Sequence, residues 1–114
     1  MRRVLLLDLK EGSETIARYE AWHAAGAVPK PVIESIRAAD IQSMEIYRSG
    51  NRLVMVMETG PAFDPSAHAA ADGSNPDVVA WEELMSQFQQ PLPWAPEGQK
   101  WLEAKRIFSL DEQP

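Results

Sequence analysis

The sequence holds only two histidines, His23 and His68. Imidazole is the side chain best suited to moving protons near neutral pH. His23 follows Tyr19 by four residues, so on a helix the phenol and the imidazole share a face with Ile16, with Trp22 on its shoulder. Such a pair can point into a pocket beside a sheet and act there as proton carrier and hydrogen-bond donor. The same spacing also suits plain structure: a histidine near a helix C-terminus complements the dipole, and a rim tyrosine keeps its hydroxyl in water. Trp81 falls in the stripe Val78, Trp81, Met85 and Phe88, whose steps of three and four give core packing as its first reading. Glu82 beside it reads as a solvated carboxylate. Met44 and Tyr47, three apart on one strand, point to opposite faces. His68 sits in an alanine- and proline-rich stretch read as loop and receives no role.

Other chemistries are excluded or disfavoured by residue type. No cysteine is present, which removes disulfides, thiolate nucleophiles and zinc ribbons. Two histidines with no ligand-spaced cluster argue against a metal site. The six glycines are dispersed, so no phosphate-cradling loop exists, and no serine sits in a nucleophile elbow. Eleven basic against seventeen acidic residues give a net charge of −6, which disfavours nucleic acid as a partner. No uninterrupted apolar run, the early Val4 to Leu7 included, is long enough to span a bilayer. Met1-Arg2-Arg3 before that run hints at a signal peptide. Asp8 breaks it and no small-residue cleavage site follows, so the expectation is a cytoplasmic protein without membrane contact.

The elements that must hold these residues can be read from pattern. The 114 residues, 45% hydrophobic and 25% charged, suit a single domain over 1–114 with one ordinary core. Arg3 to Leu9 predicts a strand buried on both faces, with Asp8 paired to an arginine or at a wet end. Ser13 can cap a helix over Glu14 to Ala25 that stops at Gly26. A second helical piece covers Pro31 to Ala39, with Pro31 at its first turn. Ile41–Arg48 and Arg52–Glu58 form a hairpin around Ser49-Gly50-Asn51. Pro65 to Pro76 and Gln89 to Gly98 read as irregular connections. Asp77 to Phe88 is a helix, and Arg106 to Leu110 a short last strand. The order β-α-(α)-β-β-α-β gives a ferredoxin-like α+β fold, an antiparallel sheet with helices on one face. Residues of Leu53 to Met57 are apolar on both faces, so a second copy is expected against the open side: a homodimer.

Five segments together resemble the L-rhamnose mutarotase family over nearly the whole chain. They are the apolar opening strand Arg3 to Leu9 and the Tyr-x-x-x-His motif within Arg18-Tyr19-Glu20-Ala21-Trp22-His23. Glu45-Ile46-Tyr47 follows before a turn, then Trp81 to Met85 with Phe88, and a closing Ile107-Phe108-Ser109-Leu110. Each motif is weak alone; their order and spacing carry the resemblance. It implies a dimeric α+β barrel enzyme, without metal or cofactor, that interconverts the α and β anomers of a 6-deoxy-L-hexose. It implies His23 as general acid/base, with Tyr19 and Trp81 binding the sugar. Two positions depart from the family: Met44 stands where a second sugar-contacting tyrosine is expected, and a Trp-Trp pair becomes Trp81-Glu82. Met44 and Glu82 therefore enter the substrate-binding set as changed pocket wall. Sugars are told apart by hydrogen bonds to single hydroxyls, so a changed wall points to a related sugar, L-fucose first and L-rhamnose next. Two other readings share the fold class: a cofactor-free monooxygenase taking a flat aromatic substrate, and a non-catalytic sugar-binding dimeric module.

Overall fold

The computed structural model describes residues 1–114. Its centre is β1, Arg2–Leu9, whose alternating side chains serve two surfaces. Leu5, Leu7 and Leu9 face the helices, and Val4, Leu6 and Asp8 face away. β1 lies antiparallel to β3, Arg52–Thr59, with Leu5 opposite Met55 and Leu7 opposite Leu53. β3 in turn pairs with β2, Ile41–Ser49, across a turn in which Gly50 takes φ +60°, a conformation glycine adopts without cost. On the far side of β1 lies β4, only Gln89–Gln90, and further along β1 lies β5, Leu102–Glu103. The path β2-β3-β1-β4, all antiparallel, is the ferredoxin-like arrangement, so the chain has the α+β fold expected of it.

Four helices complete the fold: α1, Ser13–Trp22; α2, Lys30–Ala38; α3, Pro65–Ser74; and α4, Pro76–Ser86. Tyr19 of α1, Val32 of α2, and Trp81 and Met85 of α4 form one buried cluster with Leu9, Leu53 and Phe88. The α4 stripe read from the sequence is thus the seam between that helix and the sheet. Asp8 is 3% exposed on the opposite face. Arg52 holds both its carboxylate oxygens, at 2.8 and 3.2 Å, which supplies the partner a buried charge requires. No helix is long and apolar enough to cross a membrane.

Several local expectations are corrected. Pro65 to Pro76 is not a loop: Pro65 sits at the first turn of α3, and the Asp64 carboxylate accepts from the Ser66 and Ala67 amides. Proline at that position starts a helix rather than breaking one. Ser13 is the first residue of α1 and makes no cap; Gly12 precedes it at φ +120°. The helix ends at Trp22 instead of Ala25. Gln89-Gln90 is the strand that closes the motif, within a stretch read as irregular. Arg106 to Leu110 is not a strand; Ile107, Phe108 and Leu110 stand exposed on a terminal arm. That arm helps explain a radius of gyration of 15.0 Å, against about 13 Å for a compact chain of this length.

Asp64 gives a direct test of α3. Asp64→Ala removes both cap hydrogen bonds and should lower stability by about 1 kcal/mol. Urea denaturation followed by circular dichroism measures it.

Candidate active site

The chemistry begins where α1 runs out. The His23 amide turns to the Glu20 carbonyl in a tightened last turn, and the imidazole takes up the Tyr19 carbonyl, with Nδ1 at 2.7 Å from it. A carbonyl can only accept, so Nδ1 carries the proton. In the neutral ring Nε2 is then left with its lone pair. One hydrogen bond within a helical turn therefore fixes both the orientation and the tautomer of His23.

Two aromatic rings pack against this imidazole. The Tyr19 ring centroid lies at 4.3 Å and that of Trp81 at 5.5 Å, the latter edge-on. Trp22 meets Trp81 at 6.2 Å from outside. Tyr19 and Trp81 are buried and His23 is half-buried. All three border a cavity of about 570 Å³ between the helices and the sheet, with Met44, Met55 and Met57 on its sheet side. Its walls are mostly apolar, with a few polar groups converging, the usual make-up of a small-molecule site.

Met44 and Glu82 both line this cavity. Met44 presents a thioether on β2, while Tyr47, on the opposite face, does not reach the cavity. Glu82 stands exposed at the rim, 3.8 Å from Lys100. Tyr19 is the one group here whose ionisation the fold visibly shifts. Burial pushes its hydroxyl above the ordinary 10.0; a hydrogen bond from the Gln89 carboxamide pulls the other way, and the Glu82 charge adds to the rise. The phenol is therefore held neutral, as a donor.

Gln89, His68 and Asp72 line the cavity without having been given a role from the sequence. Gln89 is 8% exposed, and its Oε1 has no hydrogen-bond partner in the protein, an unusual state for a buried acceptor. Its only sequence signal is a polar side chain directly after the apolar stripe of α4. His68 and Asp72 lie on α3 and line the same cavity. They were missed because a segment read as loop gives no face on which to place them. No three His, Asp or Glu side chains come together as a metal site would need.

A ferredoxin-like sheet carrying an oriented imidazole, a neutral phenol and an indole around one apolar cavity is an arrangement able to hold a small molecule and to move a proton at it. The particular family follows from comparison: the L-rhamnose mutarotase model matches residues 2–110. The chain belongs to the L-rhamnose mutarotase family and is accordingly a carbohydrate isomerase. An L-fucose mutarotase of Xanthomonas campestris pv. campestris is 47% identical over 111 residues, spanning 97% of this chain and 89% of that protein. A UPF0734 protein of Dictyostelium discoideum is 31% identical, spanning 92% of this chain and 86% of that protein. Among solved structures, an L-rhamnose mutarotase from Formosa agariphila superposes with a TM-score of 0.69 over 96% of this chain and 98% of that one, at 14% identity. Tetracenomycin F2 cyclase from Streptomyces glaucescens, a type-II polyketide cyclase, superposes at 0.58 over 96% and 95%, at 15% identity. At such identities these two matches speak for the fold alone.

The Tyr19 environment makes a pH prediction. The fold holds the phenolic proton more tightly than the unfolded chain does. Its share of stability is therefore complete below pH 10.0 and is lost as pH rises toward the raised folded value. Tyr19→Phe should flatten that alkaline decline, as measured by thermal melts across alkaline pH.

Proposed function

We propose that this protein interconverts the α and β anomers of a 6-deoxy-L-hexose, L-fucose in preference to L-rhamnose, with His23 as the general acid/base. The observation that carries this reading is the Tyr19 carbonyl bond to His23 Nδ1, which leaves Nε2 as the basic nitrogen of a ring on the cavity wall. L-fucose is preferred because the 47% identical relative is an L-fucose mutarotase. The departures at Met44 and Glu82 also lie on the cavity, where they can alter sugar choice.

The steps balance without any redox change. His23 Nε2 takes the proton from the anomeric O1 hydroxyl. The C1–O5 bond breaks as O5 gains a proton, giving the open-chain aldehyde. Rotation about C1–C2 turns the other carbonyl face toward O5. The O5 hydroxyl then adds to C1, losing its proton, and O1 regains one. Each direction needs one acceptor and one donor; His23 fills one role, and the other falls on the same wall, where Tyr19 and Glu82 stand. Trp81 offers its indole to the apolar side of the sugar ring. The apolar cavity wall suits the C6 methyl, where a hexose with a C6 hydroxyl would leave a polar group unpaired.

The assembly we propose is a homodimer through the sheet face turned away from the helices. Val4, Leu6, Val54 and Val56 are only half-buried there within one chain, and Tyr47 is 55% exposed. The exposed Ile107, Phe108 and Leu110 of the terminal arm offer further apolar surface for the same partner. A contiguous apolar sheet face with nothing over it is a common interface between copies.

Two measurements test this function and assembly. Proton exchange spectroscopy on equilibrated L-fucose and L-rhamnose should show faster α/β interconversion with protein, greater for L-fucose. His23→Ala should lose about 10²–10⁴-fold of the acceleration while keeping a native circular dichroism spectrum. Sugar binding without faster exchange in the native protein would instead establish a binding module. Light scattering should give about twice the chain mass, and Val54→Lys, which buries a charge in the proposed interface, should return it to one chain; a native monomer would refute the dimer.

A further inference from the structure

α3 is built almost wholly from small residues: Pro65, Ser66, Ala67, Ala69, Ala70, Ala71, Gly73 and Ser74 surround two long side chains, His68 and Asp72. Those two are four apart, so they share one helical face. That face is the one turned to the cavity, which both residues line. His68 Nε2 lies 3.2 Å from Asp72 Oδ2. The Ser35 hydroxyl of α2 donates to Asp72 Oδ1 at 2.6 Å, and Ser35 lines the cavity too. Both carboxylate oxygens are thus engaged, and because a carboxylate only accepts, Nε2 of His68 carries its proton toward Asp72. The other ring nitrogen, Nδ1, is left for a ligand.

A pin between α2 and α3 would not require this trio on the cavity. Val32, Ile36, Phe63 and Met57 border the same space, and methyl groups would tie the helices without the cost of desolvating a charge. The trio is also separate from the proton-transfer group. His23, Tyr19 and Trp81 belong to α1 and α4, whereas His68, Asp72 and Ser35 belong to α2 and α3.

We infer that His68, positioned by Asp72 and Ser35, is a second sugar-binding group that reads the C4 hydroxyl and so sets which epimer is accepted. The inference rests on the mutarotase reading. With the anomeric carbon at His23, the ring carbon across the pyranose from it is C4. Of the polar side chains on the cavity, Tyr19 and Glu82 lie with His23 on the α1 and α4 side, Arg3 and Gln89 come from β1 and β4, and the group on α2 and α3, His68, Asp72 and Ser35, is the one assigned to that end of the sugar. L-fucose and L-rhamnose differ in configuration at C4 as well as at C2, so a fixed acceptor at C4 discriminates between them. A site built to hydrogen-bond one hydroxyl penalises the epimer that leaves it unpaired.

The test isolates C4 by comparing L-fucose with 6-deoxy-L-glucose, which differs at that carbon alone. Anomer exchange is measured by NMR for both sugars, as kcat and KM, with the native protein, His68→Ala, Asp72→Asn and Ser35→Ala. The native protein should favour L-fucose. His68→Ala should shrink the ratio of kcat/KM values about tenfold or more, chiefly through a raised KM for L-fucose. Asp72→Asn and the milder Ser35→Ala should move the same ratio in the same direction, by less. His23→Ala should instead lower kcat for both sugars, separating the two groups. An unchanged ratio in the three wall variants, with melting temperatures near native, overturns this inference and leaves the mutarotase reading standing. A native protein that accelerates neither sugar overturns both.

Discussion

Between Tyr19 and His23 a single turn of helix does what several loops do in many enzymes. A helix end leaves backbone carbonyls without partners, and here the His23 amide has turned to Glu20, so the Tyr19 carbonyl receives the imidazole instead. That bond caps the helix and selects a tautomer at once. The Tyr19 side chain, from the same residue, packs at 4.3 Å against the ring it orients and meets Phe88 edge-on at 6.2 Å. The phenol, the imidazole and the core are thereby coupled through one residue. Moving α1 by one residue would turn the phenol away from Phe88 and the imidazole away from Trp81 together.

The rest of the architecture gives that turn a surface to face. β1 is the strand that makes a cavity possible, because Leu7 and Leu9 are fully buried and anchor the C-terminal end of the strand under α1 and α4. Toward its other end the packing opens: Leu5, Met55 and Met57 border empty space rather than a helix. Packing is dense where the strand leads into α1 and absent where a ligand would sit. Methionine suits such a floor, since its unbranched, polarizable side chain adapts to irregular contacts. The opposite face of the same strand carries half-buried Val4 and Leu6 and Asp8, which Arg52 of β3 holds, so the two faces of one strand serve separate purposes.

How much of this was legible in the sequence depended on whether an element buries a periodic apolar face. β1, the hairpin and α4 do so, and their positions, with the inward stripe of α4, could be read directly. α3 does not: an alanine-rich helix has no apolar stripe, its proline looked like a breaker, and Asp64 just before it was given no capping role. With α3 unseen, His68 and Asp72 had no face to share. β4 failed for the converse reason. Two glutamines have no strand signature, and Gln89-Gln90 pairs because α4 delivers it beside β1. Ile107-Phe108-Ser109-Leu110 carries the apolar character of a strand, yet no edge within the chain receives it. Tyr19 and His23 could be seen as neighbours, because i, i+4 spacing is a local pattern; Trp81 joined them only through the family resemblance, since its stripe alone reads as core. Gln89 and the α3 residues reach the cavity through tertiary placement, which no local period encodes.

That division follows the physics of the reaction. In the proposed mechanism, proton transfer at the anomeric carbon uses one imidazole in one orientation, and a short helical turn backed by a packed core holds that ring rigidly. Discrimination among hydroxyl epimers needs polar groups whose identity can change without disturbing that turn. The cavity offers such positions on elements that bear little of the core. α3 buries no residue, Met44 is on the edge strand β2, and Glu82 points from the exposed side of α4. Substituting them alters what the wall can hydrogen-bond, at small cost to the cluster around Leu9, Tyr19 and Trp81. A fold arranged in this way can hold its acid/base group fixed while the opposite wall adapts to a different sugar.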